Sequence, residues 1–147
     1  MIASEIRAEL LKDHAGLRSL ITEVRLAITR VGPQESTTHE LRRNIERLAR
    51  ALGGHNQREE AMLQELLKSV DAWGPARAEI MDETHHEEHA ELVAALVLAN
   101  AADPIAAGVH AKDVIERLEV HMAREEEVLL AEDVLRDDQV VIDAFGG

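Results

Sequence analysis

Residues 37–66 read TTHELRRNIERLARALGGHNQREEAMLQEL, and their apolar side chains recur every three or four positions. This spacing is that of one face of an α-helix. The face continues in phase across Gly53 and Gly54, so we predict one uninterrupted helix, although each glycine costs about 1 kcal/mol. The two glycines also allow a bend or a close helix approach. Near its middle the apolar face carries His55 and Glu59 in place of hydrocarbon side chains.

Three further segments have the same helical spacing, and short breaker sequences separate them. Gly32-Pro33 ends the first helix, which begins near Ser4. Thr37 and Glu40 form a T-x-x-E pattern, which predicts a capping box at the start of the second helix. Gly74-Pro75 opens the third helix and Asp103-Pro104 the fourth, with proline at the first helical position and the aspartate as N-cap. We expect the fourth helix to fray between residues 132 and 136.

The pattern predicts an all-α fold, an up-down-up-down antiparallel four-helix bundle over residues 1–135. No alternation typical of β-strands occurs, and the predicted loops are short, which makes neighbouring helices antiparallel. Residues 136–147 form a short C-terminal tail with Val140, Val141, Ile142 and Phe145. This tail either covers one end of the bundle or contacts a partner.

Composition excludes several classes of function. The chain has 147 residues, about one domain, and no cysteine, which excludes disulfides, thiolate metal sites and cysteine nucleophiles. Its net charge of −13 and its two aromatic residues argue against nucleic acid or an anionic membrane as partner. We find no targeting signal or membrane-spanning stretch, so we expect a cytoplasmic, stand-alone module.

Each predicted helix carries histidine or glutamate near the middle of its apolar face. The within-helix pairs are spaced i, i+4, which places both side chains on one face. At a rise of about 1.5 Å per residue, all four helices bring these residues to one level of the bundle. We call this set the polar layer: His14, His55, Glu59, His85, His89, His121 and Glu125. A buried salt-bridge network would need cations, and no Lys or Arg occupies these inward positions.

Five imidazoles and two carboxylates at one level indicate a metal centre. They are too many ligands for one tetrahedral zinc ion and suit two ions bridged by the carboxylates. Imidazole-rich ligation favours iron, with copper or zinc as alternatives, and it fits magnesium and calcium poorly.

Four short motifs, taken in order, resemble the hemerythrin-like (HHE cation-binding) family. They are His14 alone, His55-Asn-Gln-Arg-Glu59, His85-His-Glu-Glu-His89 and His121-Met-Ala-Arg-Glu125. The resemblance covers about residues 4–132. It implies two iron ions per chain with an oxo or hydroxo bridge. By the same resemblance His85, His89 and His121 hold one iron, His14 and His55 hold the other, and Glu59 and Glu125 bridge the two.

Several neighbouring residues are alternatives or lie outside the predicted centre. Glu126 offers a longer spacing from His121 than Glu125, and His86 adjoins His85 as a minor candidate. We expect His39 to be solvated and His110 to lie at the polar end of the core. The acidic runs 125–127 and 87–88 are mostly solvated, with some contacts to ligand histidines.

The resemblance implies binding of a small ligand at the iron that has only two histidines, where a position stays open. Dioxygen, peroxide or nitric oxide would bind there, for storage, sensing or a redox response. The alternative is a di-iron oxidoreductase that decomposes hydrogen peroxide, in the manner of a catalase or peroxidase, or acts on nitric oxide. The redox partner and the oligomeric state do not follow from the sequence.

Overall fold

The computed structural model describes residues 3–70 and 86–128, which are helical apart from two short connections. Within these ranges there are four helices and no strand: α1 (Ala3–Arg30), α2 (Glu35–Val70), α3 (His86–Ala101) and α4 (Pro104–Val128). The prediction of an all-helical chain is confirmed for the described residues. The predicted opening at Gly74-Pro75, the fraying end of the fourth helix and the tail at 136–147 lie outside them.

The turn between α1 and α2 differs from the sequence prediction. The helix α2 begins two residues before Thr37. The Thr37 hydroxyl therefore lies inside the first turn, where it accepts from the Gly32 N–H at 3.0 Å and donates to the Gln34 carbonyl at 2.7 Å. The Glu40 carboxylate instead accepts from Arg30 at 3.1 Å. The predicted capping box is wrong, because threonine bonds to a carbonyl of the preceding turn.

The helix α2 runs without a break through its two glycines, as predicted from the phase of its apolar face. A Cβ atom placed on Gly53 would meet nothing within 4 Å, and one on Gly54 would meet only the Arg58 side chain at 3.7 Å. Among the described residues, no neighbouring helix approaches closely at these positions, so the structure does not show the close approach that the glycines would allow.

The start of α4 agrees with the prediction. Asp103 Oδ1 accepts a hydrogen bond from the Ala106 N–H at 3.1 Å, which is the N-cap arrangement. Pro104 occupies the first helical position, where its missing N–H has no helical partner to lose.

The helices form a bundle around a core of aliphatic side chains. Contacts join α1 to α2, α2 to α3, α3 to α4, and α4 to both α1 and α2. We call the main core the apolar cluster, and its fully buried members include Val24, Leu41, Ile45, Leu48, Leu96, Ile115 and Leu118. None of the described helices combines the length and the apolar character needed to cross a bilayer.

His110 is exposed, which contradicts the expectation that it lies on the core face of α4. The inward positions of that region are Ala107, Ala111 and Val114, all buried. Small alanine side chains face the neighbouring helices, while the larger Val109 stays 64% exposed. The helical spacing of His110 from Val114 was therefore a misleading signal, because alanine rather than a larger apolar residue marks the buried face here.

Candidate metal centre

Six of the seven residues of the polar layer meet in one place, where all four helices contribute side chains. His85 lies outside the described residues. The other six form two groups, and within each group the possible ligand atoms all lie within 4.8 Å of one another. The first group is His14, His55, Glu59 and Glu125, and the second group is His89, His121 and Glu125.

The first group is buried and dense. His55 Nε2 lies 2.8 Å from Glu59 Oε2, and His14 Nε2 lies 3.2 Å from Glu125 Oε1 and 3.8 Å from Glu59 Oε2. The two imidazole rings meet edge to face, with centroids 5.0 Å apart. His55 and Glu59 share one face of α2 because they are one helical turn apart.

The second group lies beside the first and shares Glu125 with it. His89 Nε2 and His121 Nε2 are 3.0 Å apart. Glu125 Oε2 lies 3.7 Å from His89 Nε2, and Glu59 Oε1 lies 3.9 Å from the same nitrogen. Burial lowers the pKa of His89, which favours the neutral imidazole that binds metal ions. Glu59 and Glu125 therefore each have carboxylate oxygens near histidines of both groups.

Carboxylates on the outer side of the centre contact the Nδ1 atoms of the histidines of α1 and α2. His14 Nδ1 lies 3.0 Å from Glu126 Oε1, and His55 Nδ1 lies 3.1 Å from Asp13 Oδ2. A carboxylate accepts a hydrogen from Nδ1, which leaves the Nε2 lone pair directed to the centre.

A carboxylate also lies near Nδ1 of each of the other two histidines, although His89 Nδ1 makes no aligned hydrogen bond with a described residue. His121 Nδ1 lies 3.0 Å from Glu88 Oε2, and His89 Nδ1 lies 3.4 Å from Glu60 Oε1. We call Asp13, Glu60, Glu88 and Glu126 the outer carboxylates.

Sequence reasoning found part of this outer set. It allowed contacts from the acidic runs that contain Glu88 and Glu126, and both residues do contact ligand histidines. It missed Asp13 and Glu60. The available signal was that each adjoins a residue of the polar layer, but adjacent residues of a helix point about 100° apart and reach a neighbouring helix only after packing.

The alternative ligands lie away from the two groups. His86 is exposed, and its Nδ1 lies 3.2 Å from Glu60 Oε1. Glu126 accepts from Arg18 and contacts the outer side of His14. His39 is exposed as expected and lies 3.4 Å from Glu35.

The pKa values of three buried groups in the polar layer are shifted far from their usual values. Burial and the neighbouring Glu59 carboxylate raise the pKa of Glu125 to about 8. Burial opposes the charged form of His14, but the nearby carboxylates of Glu125, Glu59 and Glu126 raise its pKa to about 10. Burial also opposes the charged form of Glu59, yet its close contacts with Glu125, His14 and His55 hold its pKa well below the usual range. In the metal-free protein, bound protons therefore supply the positive charge that a metal cation would supply when bound beside the two carboxylates.

The donor set fits a metal better than it fits a hydrogen-bonded network. The buried Nε2 atoms of His14 and His55 have no aligned hydrogen bond with any described residue, although carboxylate oxygens lie close by. Atoms that converge on a common point without aligning in pairs are suited to a shared ion. Imidazole nitrogen and carboxylate oxygen are ligands for iron, zinc and copper.

One edge of the centre faces a groove between α3 and α4. The groove has a volume of about 460 Å³ and is lined by Glu88, Leu92, Val120, His121 and other residues of these helices. The His121 side chain is 11% exposed, whereas that of His14 is fully buried. Among the described residues, His121 is therefore the histidine through which solvent reaches the centre most readily.

These observations define a class, a helical-bundle protein with a candidate metal centre of histidine and glutamate. The model of the hemerythrin HHE cation-binding domain family matches residues 5–132, so the chain belongs to that family. Searches of curated proteins and of solved structures gave no significant match.

Proposed function

We propose that the polar layer binds two iron ions per chain with an oxo or hydroxo bridge. The ligands are His14, His55, Glu59, His85, His89, His121 and Glu125. The observation that carries the proposal is the pair of ligand groups that share Glu125. Two ions so close together need bridging anions, and both buried glutamates have one oxygen toward each group.

The ligands divide between the two ions as the family resemblance implies. His14 and His55 hold one ion, His89 and His121 hold the other together with His85, and Glu59 and Glu125 bridge them. The separation of the described histidines into two groups supports this division. The chain's own residues exclude bulk water, hold the imidazoles by their Nδ1 atoms and supply negative charge.

The function we infer is binding of dioxygen or another small oxidant or diatomic ligand, for storage, sensing or a redox response. The bound iron would supply reversible one-electron chemistry and an open coordination position. The groove beside His121 gives small molecules an approach to the edge of the centre, at the group opposite to the His14 and His55 ion where the open position is expected. A cytoplasmic location stays a prediction from the sequence.

We also propose that the four helices run up, down, up and down. Two contacts along each helix pair support this order. Along α1 and α4, His14 contacts Glu126 and Ile28 lies beside Gly108, so the two helices run in opposite directions. Contacts between the other successive helices also support opposite directions. They are Asp13–His55 and Arg30–Glu40 between α1 and α2, Arg42–Asn100 and Glu60–His86 between α2 and α3, and Glu88–His121 and Glu91–Arg117 between α3 and α4.

Metal analysis tests the proposal. Purified protein reconstituted with ferrous iron should retain about two iron ions per chain, and its oxidised form should absorb in the near ultraviolet. One tightly bound zinc ion, with no such band after iron loading, would rule out the di-iron centre.

Ligand addition then separates binding from peroxide decomposition. The reduced protein should form a dioxygen adduct that reverses on degassing. Sustained oxygen evolution from hydrogen peroxide, without a reversible adduct at any oxygen pressure, would favour the oxidoreductase instead.

A further inference from the structure

The outer carboxylates of the two ligand groups are held differently. Glu126, which contacts His14, accepts hydrogen bonds from both terminal nitrogens of Arg18, at 2.7 Å and 2.9 Å. This is a bidentate pair, the strongest geometry between arginine and a carboxylate. The pair connects the outer side of His14 to the surface of α1.

Asp13, which contacts His55, is held in a similar way from α2. Its Oδ2 atom accepts from Arg58 Nε at 3.1 Å and from Arg58 Nη2 at 2.7 Å. Both outer carboxylates of the first group therefore have an arginine behind them.

The second group lacks this support. Within residues 3–70 and 86–128, no arginine contacts Glu60 or Glu88. Glu60 divides its contacts between His89 and the exposed His86, and the Glu88 side chain is 43% exposed at the edge of the groove. A solvated carboxylate holds a ring less firmly than one fixed on both sides.

We propose that Arg18 and Arg58 are positioning residues that act through Glu126 and Asp13 on His14 and His55. They keep each carboxylate in place, so that each ring keeps its hydrogen on Nδ1 and presents Nε2 to the ion. One of the two ions is thereby bound in a more rigid half of the centre than the other. The inference rests on the proposed function, since it requires two bound ions.

The experiment titrates the metal-free full chain with Co²⁺, whose visible spectrum reports each bound ion. Arg18→Met and Arg58→Met should lower the affinity for one of the two Co²⁺ ions and leave the affinity for the other unchanged. Glu126→Gln and Asp13→Asn should weaken the same ion by about 10-fold or more, since loss of such an outer partner usually costs 10- to 100-fold in affinity. Arg18→Lys, which keeps the charge without the fork, should restore part of the loss.

The chain supplies a matched control in Arg25. Arg25 pairs with Glu119 between the same two helices as Arg18 and Glu126, with similar exposure, but away from the centre. Arg25→Met should therefore leave both Co²⁺ affinities and the visible spectrum unchanged. Equal effects of Arg18→Met and Arg25→Met, or equal weakening of both ions, would overturn the inference.

The outcomes also separate this inference from the proposed function. A wild-type chain that binds two ions, with variants that do not differ from the Arg25→Met control, contradicts the positioning role alone. A wild-type chain that binds no pair of ions contradicts both.

Discussion

The apolar cluster and the polar layer occupy successive turns of the same helices, yet they are stabilised by different partners. In α2, Leu41, Ile45 and Leu48 are fully buried against aliphatic neighbours. Two to three turns after Leu48, His55 and Glu59 are equally buried against other polar groups. Aliphatic packing needs neither a metal ion nor a protonation state, but buried charges need a compensating ion. The polar layer therefore depends on metal and pH, whereas the apolar cluster does not.

The largest effect should come from the shared ligand. Glu125→Ala removes a carboxylate from both groups, so we expect the iron content to fall from about two ions per chain to nearly none. The exposed neighbour Glu127 gives the control, and Glu127→Ala should keep the iron. Iron content after reconstitution is the measurement. A Glu125→Ala protein that retains both ions would contradict the bridging role.

The third helix offers a second comparison between adjacent residues. His85→Ala should remove most of the iron, because His85 is in helical phase with His89, while His86→Ala should keep it, because the His86 side chain is exposed. The same metal analysis tests both variants. Equal losses would show that α3 is rotated relative to the predicted face.

A core substitution should affect stability but not metal content. Leu48 is fully buried in the apolar cluster, so Leu48→Ala should lower the free energy of unfolding by about 2–5 kcal/mol. Urea unfolding of the metal-free protein measures the loss. The folded variant should still bind the same number of ions. A change in stoichiometry would mean that the cluster and the layer are not independent.

The metal-free protein should lose stability as the pH rises from neutral to alkaline values. The pKa of Glu125 is raised to about 8 and that of His14 to about 10, so the folded state binds more protons than the unfolded state in this range. Stability is therefore present at lower pH and falls as the pH passes through these values.

Urea unfolding in the presence of a chelator, at about pH 6 and about pH 9, measures this loss. Glu125→Gln should reduce the difference, because an amide has no proton to lose. Stability that does not change over the range would argue against the buried charges of the layer.

The smallest effect concerns the glycines of α2. Gly53→Ala places a methyl group where nothing lies within 4 Å, and it removes the entropic cost of glycine in a helix. We expect the free energy of unfolding to rise by up to about 1 kcal/mol. Thermal unfolding measures this gain. A loss of stability would indicate that α2 must bend before His55.

The sequence predicted the helical segments well where apolar residues repeat over several turns. The face of α2 that contains Leu41, Leu48 and Leu52 is buried as expected, and Asp103 caps α4 as expected. The prediction was wrong where short-range alternatives compete. Thr37 forms hydrogen bonds with the preceding turn rather than a capping box. Ala111, and not His110, is buried on the core face of α4.

The sequence by itself determined the six polar-layer residues that the structure brings together, because helical spacing and the level along each helix depend only on position in the chain. Tertiary structure decided how Glu59 and Glu125 face both ligand groups and which carboxylate lies behind each histidine. Asp13 contacts His55 on another helix rather than its neighbour His14. Such contacts depend on how helices rotate about their axes when they pack, and side-chain spacing within one helix contains no information on that rotation.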